Sequence, residues 1–226
     1  MQIPAETTAT QTLLDRYGEH LAATLGADKG TAAQATEFEA AQGALRVSLE
    51  ARLAAERAQQ RAEALADSAE VELERLIRQA ELAVLGASQK KRDQEPYPSV
   101  LPAGLSGALA PRGKAQAAEA RRIATALGSA PAVTPAAASF APGLVELADK
   151  LELATKTVEA AQAAVDAAEA LEKQNKRAWR QTYRKIFGSL TALYPDDRRK
   201  VEAFFRKGDK KDKAPRDDAG GPRPVA

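Results

Sequence analysis

The sequence predicts an all-α fold: an elongated antiparallel helical bundle or coiled coil of two long helices and several shorter ones. Three observations carry that reading. By count, 52 of the 226 residues are alanine, and alanine with leucine, glutamate, lysine and arginine is the composition of long helices. Two stretches, 44–85 and 144–187, contain neither glycine nor proline. Aromatics make up only 4% of the chain, too few for an ordinary compact core, so the helices must approach closely through small side chains.

The elements follow from where glycine and proline fall. A short helix is expected over about 8–25 and ends at "GADKG", Gly26 to Gly30. Helical periodicity resumes near Thr31 and continues to Gly86, which suits a left-handed C-cap. At ~1.5 Å per residue this helix exceeds 60 Å. Residues 87–113 hold Pro96, Pro98, Pro102 and Pro111 and read as a linker. A second short helix is expected over 114–127, followed by the loop "SAPAVTPAAASFAPG". The second long helix covers 144–193, with Gly188 a mild interruption, and "YPDD" stops it at Pro195. A last helix is expected over 196–206, capped by Asp196 or Asp197, and a disordered polar tail over 208–226.

Heptad spacing supports helix pairing. In the second long helix one seam position runs Leu144, Leu151, Val158, Val165, Glu172, Trp179, Ile186, Leu193. Its companion runs Leu147, Ala154, Ala161, Ala168, Asn175. The first long helix matches it with Ala62, Ala66, Ala69, Leu73, Leu76, Ala80 and Ala83, and has a looser apolar face at Phe38, Leu45, Leu49 and Leu53. Glu172 interrupts the apolar seam, which reads as exposure where the bundle widens. Each half of the chain is a short helix, a loop and a long helix, with "LAATLGA" at Leu21 echoed by "IATALGS" at Ile123. The halves, 1–86 and 114–207, therefore read as a duplicated helical hairpin.

The net charge of +2 hides an asymmetry. Residues 1–172 carry 17 Lys and Arg against 24 Asp and Glu, whereas residues 173–213 carry 14 against 5. A solvated face is the plain reading of such a run. Separation this clean also fits an anionic partner, or attraction between copies of the chain.

Little in the sequence points to chemistry. There is no cysteine and a single histidine, His20, which removes thiolate and multi-histidine metal sites. A Glu-x-x-His pair for a di-iron bundle is missing, because Tyr17 stands three residues before His20. "GALAPRGK", Gly107 to Lys114, only approaches a P-loop. Its glycine spacing is one residue too long, Ala115 stands where Ser or Thr would hold magnesium, and Pro111 removes a backbone donor. "GLSG" at Gly104 lacks the spacing of a nucleophile elbow. Glu50 with Arg46, Glu74 with Arg78 and Glu146 with Lys150 read as surface pairs. No catalytic residue, metal or cofactor is expected. The opening residues lack the features of a signal peptide, and no run reaches the roughly 18 apolar residues of a membrane span, so a cytoplasmic protein is expected.

Six of the ten aromatics lie between Lys176 and Lys211: Trp179, Tyr183, Phe187, Tyr194, Phe204 and Phe205. They are expected to form a local core beneath the last helix. Around them stand Lys176, Arg177, Arg180, Arg184, Lys185, Arg198, Arg199, Lys200 and Arg206, then Lys207, Lys210, Lys211 and Lys213. These cations are the candidate contacts to a partner or anion. The expected function is a non-enzymatic helical scaffold that forms homo-oligomers through alanine-faced helices and meets a protein partner through this basic module. The alternative is non-specific binding of nucleic acid or an anionic surface by the same segment, 176–213.

Overall fold

The computed structural model describes residues 3–206. Lys207 and the tail over 208–226, with Lys210, Lys211 and Lys213, lie outside the described residues. Among the described residues there are helices and turns but no strand.

The chain divides into two compact units, residues 1–50 with 170–226, and residues 51–169. This differs from the expected halves, 1–86 and 114–207. Each long helix does pack against its own short helix, Arg46 reaching Glu19 and Arg121 reaching Asp149, but within each unit it also pairs with a stretch of the other long helix. Stretches of α3 (Ala32–Ala87) and α8 (Ala141–Leu193) therefore occur in both units.

In the first unit the chain enters through α1 (Thr10–Thr12), a π-helical stretch (Leu13–Gly18) and α2 (Glu19–Ala27). A 3-10 turn, Lys29–Thr31, leads into α3. Asp28 caps the turn, its Oδ1 accepting from Gly30 N at 2.9 Å. Thr31 Oγ1 closes the corner by donating to Leu25 O at 2.7 Å. After α8, Asp197 caps α9 (Arg198–Ala203) and accepts from Lys200 N at 2.9 Å. In this unit α3 and α8 run antiparallel: Glu37 meets Lys185, Gln42 meets Trp179, and Ala44 O accepts from Asn175 Nδ2.

The second unit is antiparallel as well, with Gln59 on Gln162 and Glu72 on Lys150. Its core contains Ala69, Leu73, Ile77, Ala80 and Val84 of α3, with Leu144, Ala148 and Leu151 of α8. Against them pack Ala117, Ala120, Ile123 and Leu127 of α6 (Gly113–Ser129). Alanine at these positions lets helix backbones approach while each turn still removes apolar surface from water.

Residues 87–113 are not an open linker. They form α4 (Tyr97–Val100) and α5 (Gly104–Leu109), and Tyr97, Val100, Leu101 and Ala108 belong to the buried core of the second unit. Pro96 and Pro98 start α4, Pro102 and Pro111 fall between the short helices, and the apolar residues beside them anchor the segment. Tyr97 Oη donates to the buried Glu81 Oε1 at 3.1 Å, and Arg92 lies 3.5 Å from the same oxygen. The loop between α6 and α8 also holds a short helix, α7 (Pro135–Ala138), capped by Thr134.

Gly86 does not cap α3. The positive φ angles fall on Gln89 (55°) and Lys90 (65°), and Lys90 N donates back to Leu85 O at 2.8 Å. The helix passes through Gly86 and ends at Ala87, and the chain turns through the positive φ angles that follow. The P-loop-like stretch also has a plain structural role. Gly113 adopts φ of 55° to start α6, and its N–H donates to the Glu70 carboxylate at 2.8 Å. Arg112 reaches Glu74 at 2.7 Å. An internal carboxylate thus occupies the end of the helix where an anion would be drawn.

Candidate functional site

The aromatics of the C-terminal segment lie in the core of the first unit. Trp179 and Tyr183 are fully buried and stack with ring centroids 5.1 Å apart. Phe205 meets Tyr183 edge-on at 5.1 Å and Phe187 at 5.4 Å, while Phe204 stacks on Tyr194 at 6.3 Å. The expected local core beneath the last helix is therefore present. Phe38 of α3 extends it, 5.6 Å from Trp179. The sequence placed Phe38 on the apolar face of α3 without joining it to this group, since nothing local links the two helices. Burial pushes the Tyr183 hydroxyl well above its ordinary range, with the neighbouring Tyr17 adding to it.

α9 is tied over this core by polar contacts. Lys200 Nζ lies 2.7 Å from Asp28 Oδ2 and 3.8 Å from the centre of the Tyr194 ring. Tyr194 Oη donates to Asp28 Oδ2 at 2.9 Å. The hydrogen bond from Lys200 holds the Asp28 carboxyl below its ordinary value, helped by Gly30 N–H and Tyr194. Asp28 in turn raises Lys200. Thr24 Oγ1 donates to Phe204 O at 3.1 Å, and half-buried His20 stands 3.4 Å from Ala203 O.

The candidate cations separate into two groups. Lys185 pairs with Glu37 at 2.7 Å, Arg198 with Glu202 at 3.0 Å, and Lys200 with Asp28. Arg199 and Arg206 are exposed. The second group gathers on one face of α8. Lys173, Lys176, Arg177, Arg180 and Arg184, with Glu6 and Gln181, line a cleft of about 430 Å³. Residues 173, 177, 180 and 184 follow helical spacing, so their side chains rise from a single stripe. Arg177 and Arg184 are exposed.

Arg180 differs from the expected solvent-facing cation. It is only 9% exposed, and its Nη1 is buried without a hydrogen-bond partner. Glu172, expected to be exposed, is likewise buried and accepts from Thr10 Oγ1. The two corrections share a cause. Thr10, the first residue of α1, and Glu6 before it lie on this part of α8 and cover what the heptad pattern left open. Sequence reasoning missed Glu6 and Gln181, because neither forms part of any recognisable motif. At the other end of the seam Leu193 is 44% exposed rather than inward-facing, since α8 ends there.

Among the described residues no ion pair or hydrogen bond engages Lys176, Arg177 or Arg184. Nor is there any group of three or more side chains able to hold a metal ion, and no helix is long and apolar enough to cross a membrane. No protein-family model matches the chain, and no curated protein or solved structure matches it either.

Proposed function

We propose that this is a non-enzymatic helical interaction protein that contacts an anionic partner through the basic face of α8. The observation supporting it is the cleft around Arg180, where Lys176, Arg177, Arg180 and Arg184 stand beside one carboxylate, Glu6. Elsewhere in the C-terminal segment Lys185, Arg198 and Lys200 are already matched by carboxylates of the chain itself. The buried aromatics leave this face with charge but no stacking platform. That favours an acidic or phosphorylated surface over sequence-read nucleic acid.

Retention on a polysulfated column tests the reading. The full chain is expected to elute at higher salt than the double variant Arg177→Gln/Arg184→Gln, because fewer contacts release fewer counterions. Co-elution of the two proteins would overturn it.

Self-association through the long helices is a second reading. An apolar cleft of about 230 Å³ in the second unit is lined by Ala62, Leu65, Ala69, Leu153 and Ala154, with Leu65 65% and Leu153 67% exposed. Light scattering at low and high salt tests it. An oligomer that persists in high salt and falls to monomer in Leu65→Glu/Leu153→Glu supports assembly through this groove. A monomer throughout removes it.

A further inference from the structure

We propose that the cleft at Arg180 binds a compact polyphosphate group, meaning two or more linked phosphates carried by a small ligand. This rests on the anionic-partner reading above and narrows it to one chemistry at one residue.

The buried guanidinium is the first reason. Arg180 is nine-tenths buried and its Nη1 meets no acceptor. An arginine cannot lose its proton to escape that position, and a buried charge without a partner is costly. Arg180 lines the cleft, so an anion there balances its charge, and a turn of the guanidinium brings the buried Nη1 to the ligand. A guanidinium fork matches two phosphate oxygens at once, which an ammonium cannot do.

The second reason is the number of charges. Lys173, Lys176, Arg177 and Arg184 join Arg180 in the cleft wall, with Glu6 the one acid. Lys173 has a partner of its own, but a monoanion still leaves most of the positive charge of Lys176, Arg177, Arg180 and Arg184 unbalanced, whereas linked phosphates carry several negative charges in a small volume. From residue 173 to residue 184 the stripe extends roughly 16 Å along the helix, at ~1.5 Å per residue. A chain of phosphates follows such a line better than a single one.

Size and lining give the third reason. At about 430 Å³ the cleft exceeds what one phosphate needs and falls in the range of small-ligand sites, about 300–1,000 Å³. Its described lining is charged or amide throughout, with no aromatic ring or aliphatic side chain. Trp179, next to Arg180 in sequence, is fully buried in the core. With no aromatic ring or aliphatic residue in the wall to favour a nucleobase or an acyl chain, recognition falls chiefly on the phosphates.

Isothermal titration of the full chain with inorganic tripolyphosphate, and in parallel with orthophosphate, tests the proposal. The expected result is one tripolyphosphate per chain, with orthophosphate binding at least about tenfold more weakly. Arg180→Gln should lower tripolyphosphate affinity roughly tenfold or more, the scale for losing hydrogen bonds to a charged group. Arg180→Lys should fall between the two. Arg180→Met, which keeps the buried stem, is expected to retain or raise the thermal midpoint while losing the ligand-induced rise seen in the wild type. Vesicles whose headgroups carry several phosphates, titrated against the same proteins, distinguish a membrane source of the group from a soluble one.

Equal tripolyphosphate affinity in wild type and Arg180→Gln would overturn the proposal. So would a wild-type chain that binds neither tripolyphosphate nor the vesicles yet is retained on the polysulfated column. In both cases the anionic face would survive without the pocket. Loss of column retention as well would remove the broader reading.

Discussion

Trp179 Nε1 donates to Gln42 Oε1 at 2.9 Å across 137 residues of chain, and the same amide donates from Nε2 to Leu14 O at 3.2 Å. One buried glutamine thus joins α8 to α3 and α3 to the π-helical stretch. The aromatic core forms around this junction, because Phe38, one turn before Gln42, lies against the Trp179 ring. Replacing Trp179 with Phe keeps most of the ring but leaves Gln42 Oε1 buried without its donor. The expected loss is about 1–3 kcal/mol, measured by urea unfolding followed by circular dichroism. A change within about 0.5 kcal/mol, typical of a surface substitution, would show that the hydrogen bond contributes nothing.

Gly18 provides a sharper test of the same junction. A Cβ there would stand 2.1 Å from Gln42 Oε1, so the amide must swing away and lose both hydrogen bonds. Gly18→Ala is expected to destabilise by about 1–2 kcal/mol, although alanine ordinarily improves a helix by roughly 0.5–1 kcal/mol. With Gln42→Ala already in place the clash is gone and the sign should reverse. If Gly18→Ala were stabilising in both backgrounds, the close approach would be irrelevant.

Tyr97 anchors the proline-rich segment to the second unit. Tyr97→Ala should cost about 3–5 kcal/mol, the scale of removing a buried aromatic ring. Tyr97→Phe should cost about 1–3 kcal/mol, because buried Glu81 loses its phenolic donor. Burial, reinforced by Glu81, raises the Tyr97 hydroxyl above its ordinary value of 10.0, so the donor stays protonated at neutral pH. Denaturant unfolding of the two variants checks both figures, and no loss for Tyr97→Ala would restore a free linker.

The contacts holding α9 predict a pH window. Asp28 titrates below its ordinary 3.8, so its contribution is complete above that value and is lost as pH falls through the lower folded value. Lys200 titrates above its ordinary 10.5, so its contribution is complete below that value and is lost as pH rises through the higher one. Hydrogen-exchange protection of residues 198–205, corrected for the intrinsic rate, should stay level between these limits and fall outside them. Asp28→Asn should lower the plateau and abolish the acid limb. An unchanged acid limb in that variant would assign the transition to another carboxylate.

Ion pairs show how far sequence spacing alone can be trusted. Glu74 and Arg78, one turn apart, do meet, at 3.7 Å. Arg46 instead reaches Glu19 at 2.7 Å, and Lys150 reaches Glu72 at 2.6 Å. A cation on a helix chooses between a neighbour one turn away and a carboxylate on the facing helix. Only the packing brings the second choice within reach.

What the sequence determined by itself was local. The two long helices, a cap at Asp196 or Asp197 and the aromatic core beneath α9 follow from interactions within a few residues, or from apolar spacing along one helix; the helices and core are present in the structure, and Asp197 is the cap. Tertiary structure alone decided that the long helices pair along their length, that Tyr97 and Leu101 anchor a stretch rich in proline, and that Arg180 is enclosed while Arg177 and Arg184 remain outside. Helical periodicity sets the angle at which a side chain leaves its own helix. Whether that direction meets solvent, a carboxylate or another stretch of backbone depends on chain that may be 160 residues away, as Thr10 is from Glu172 at a separation of 162.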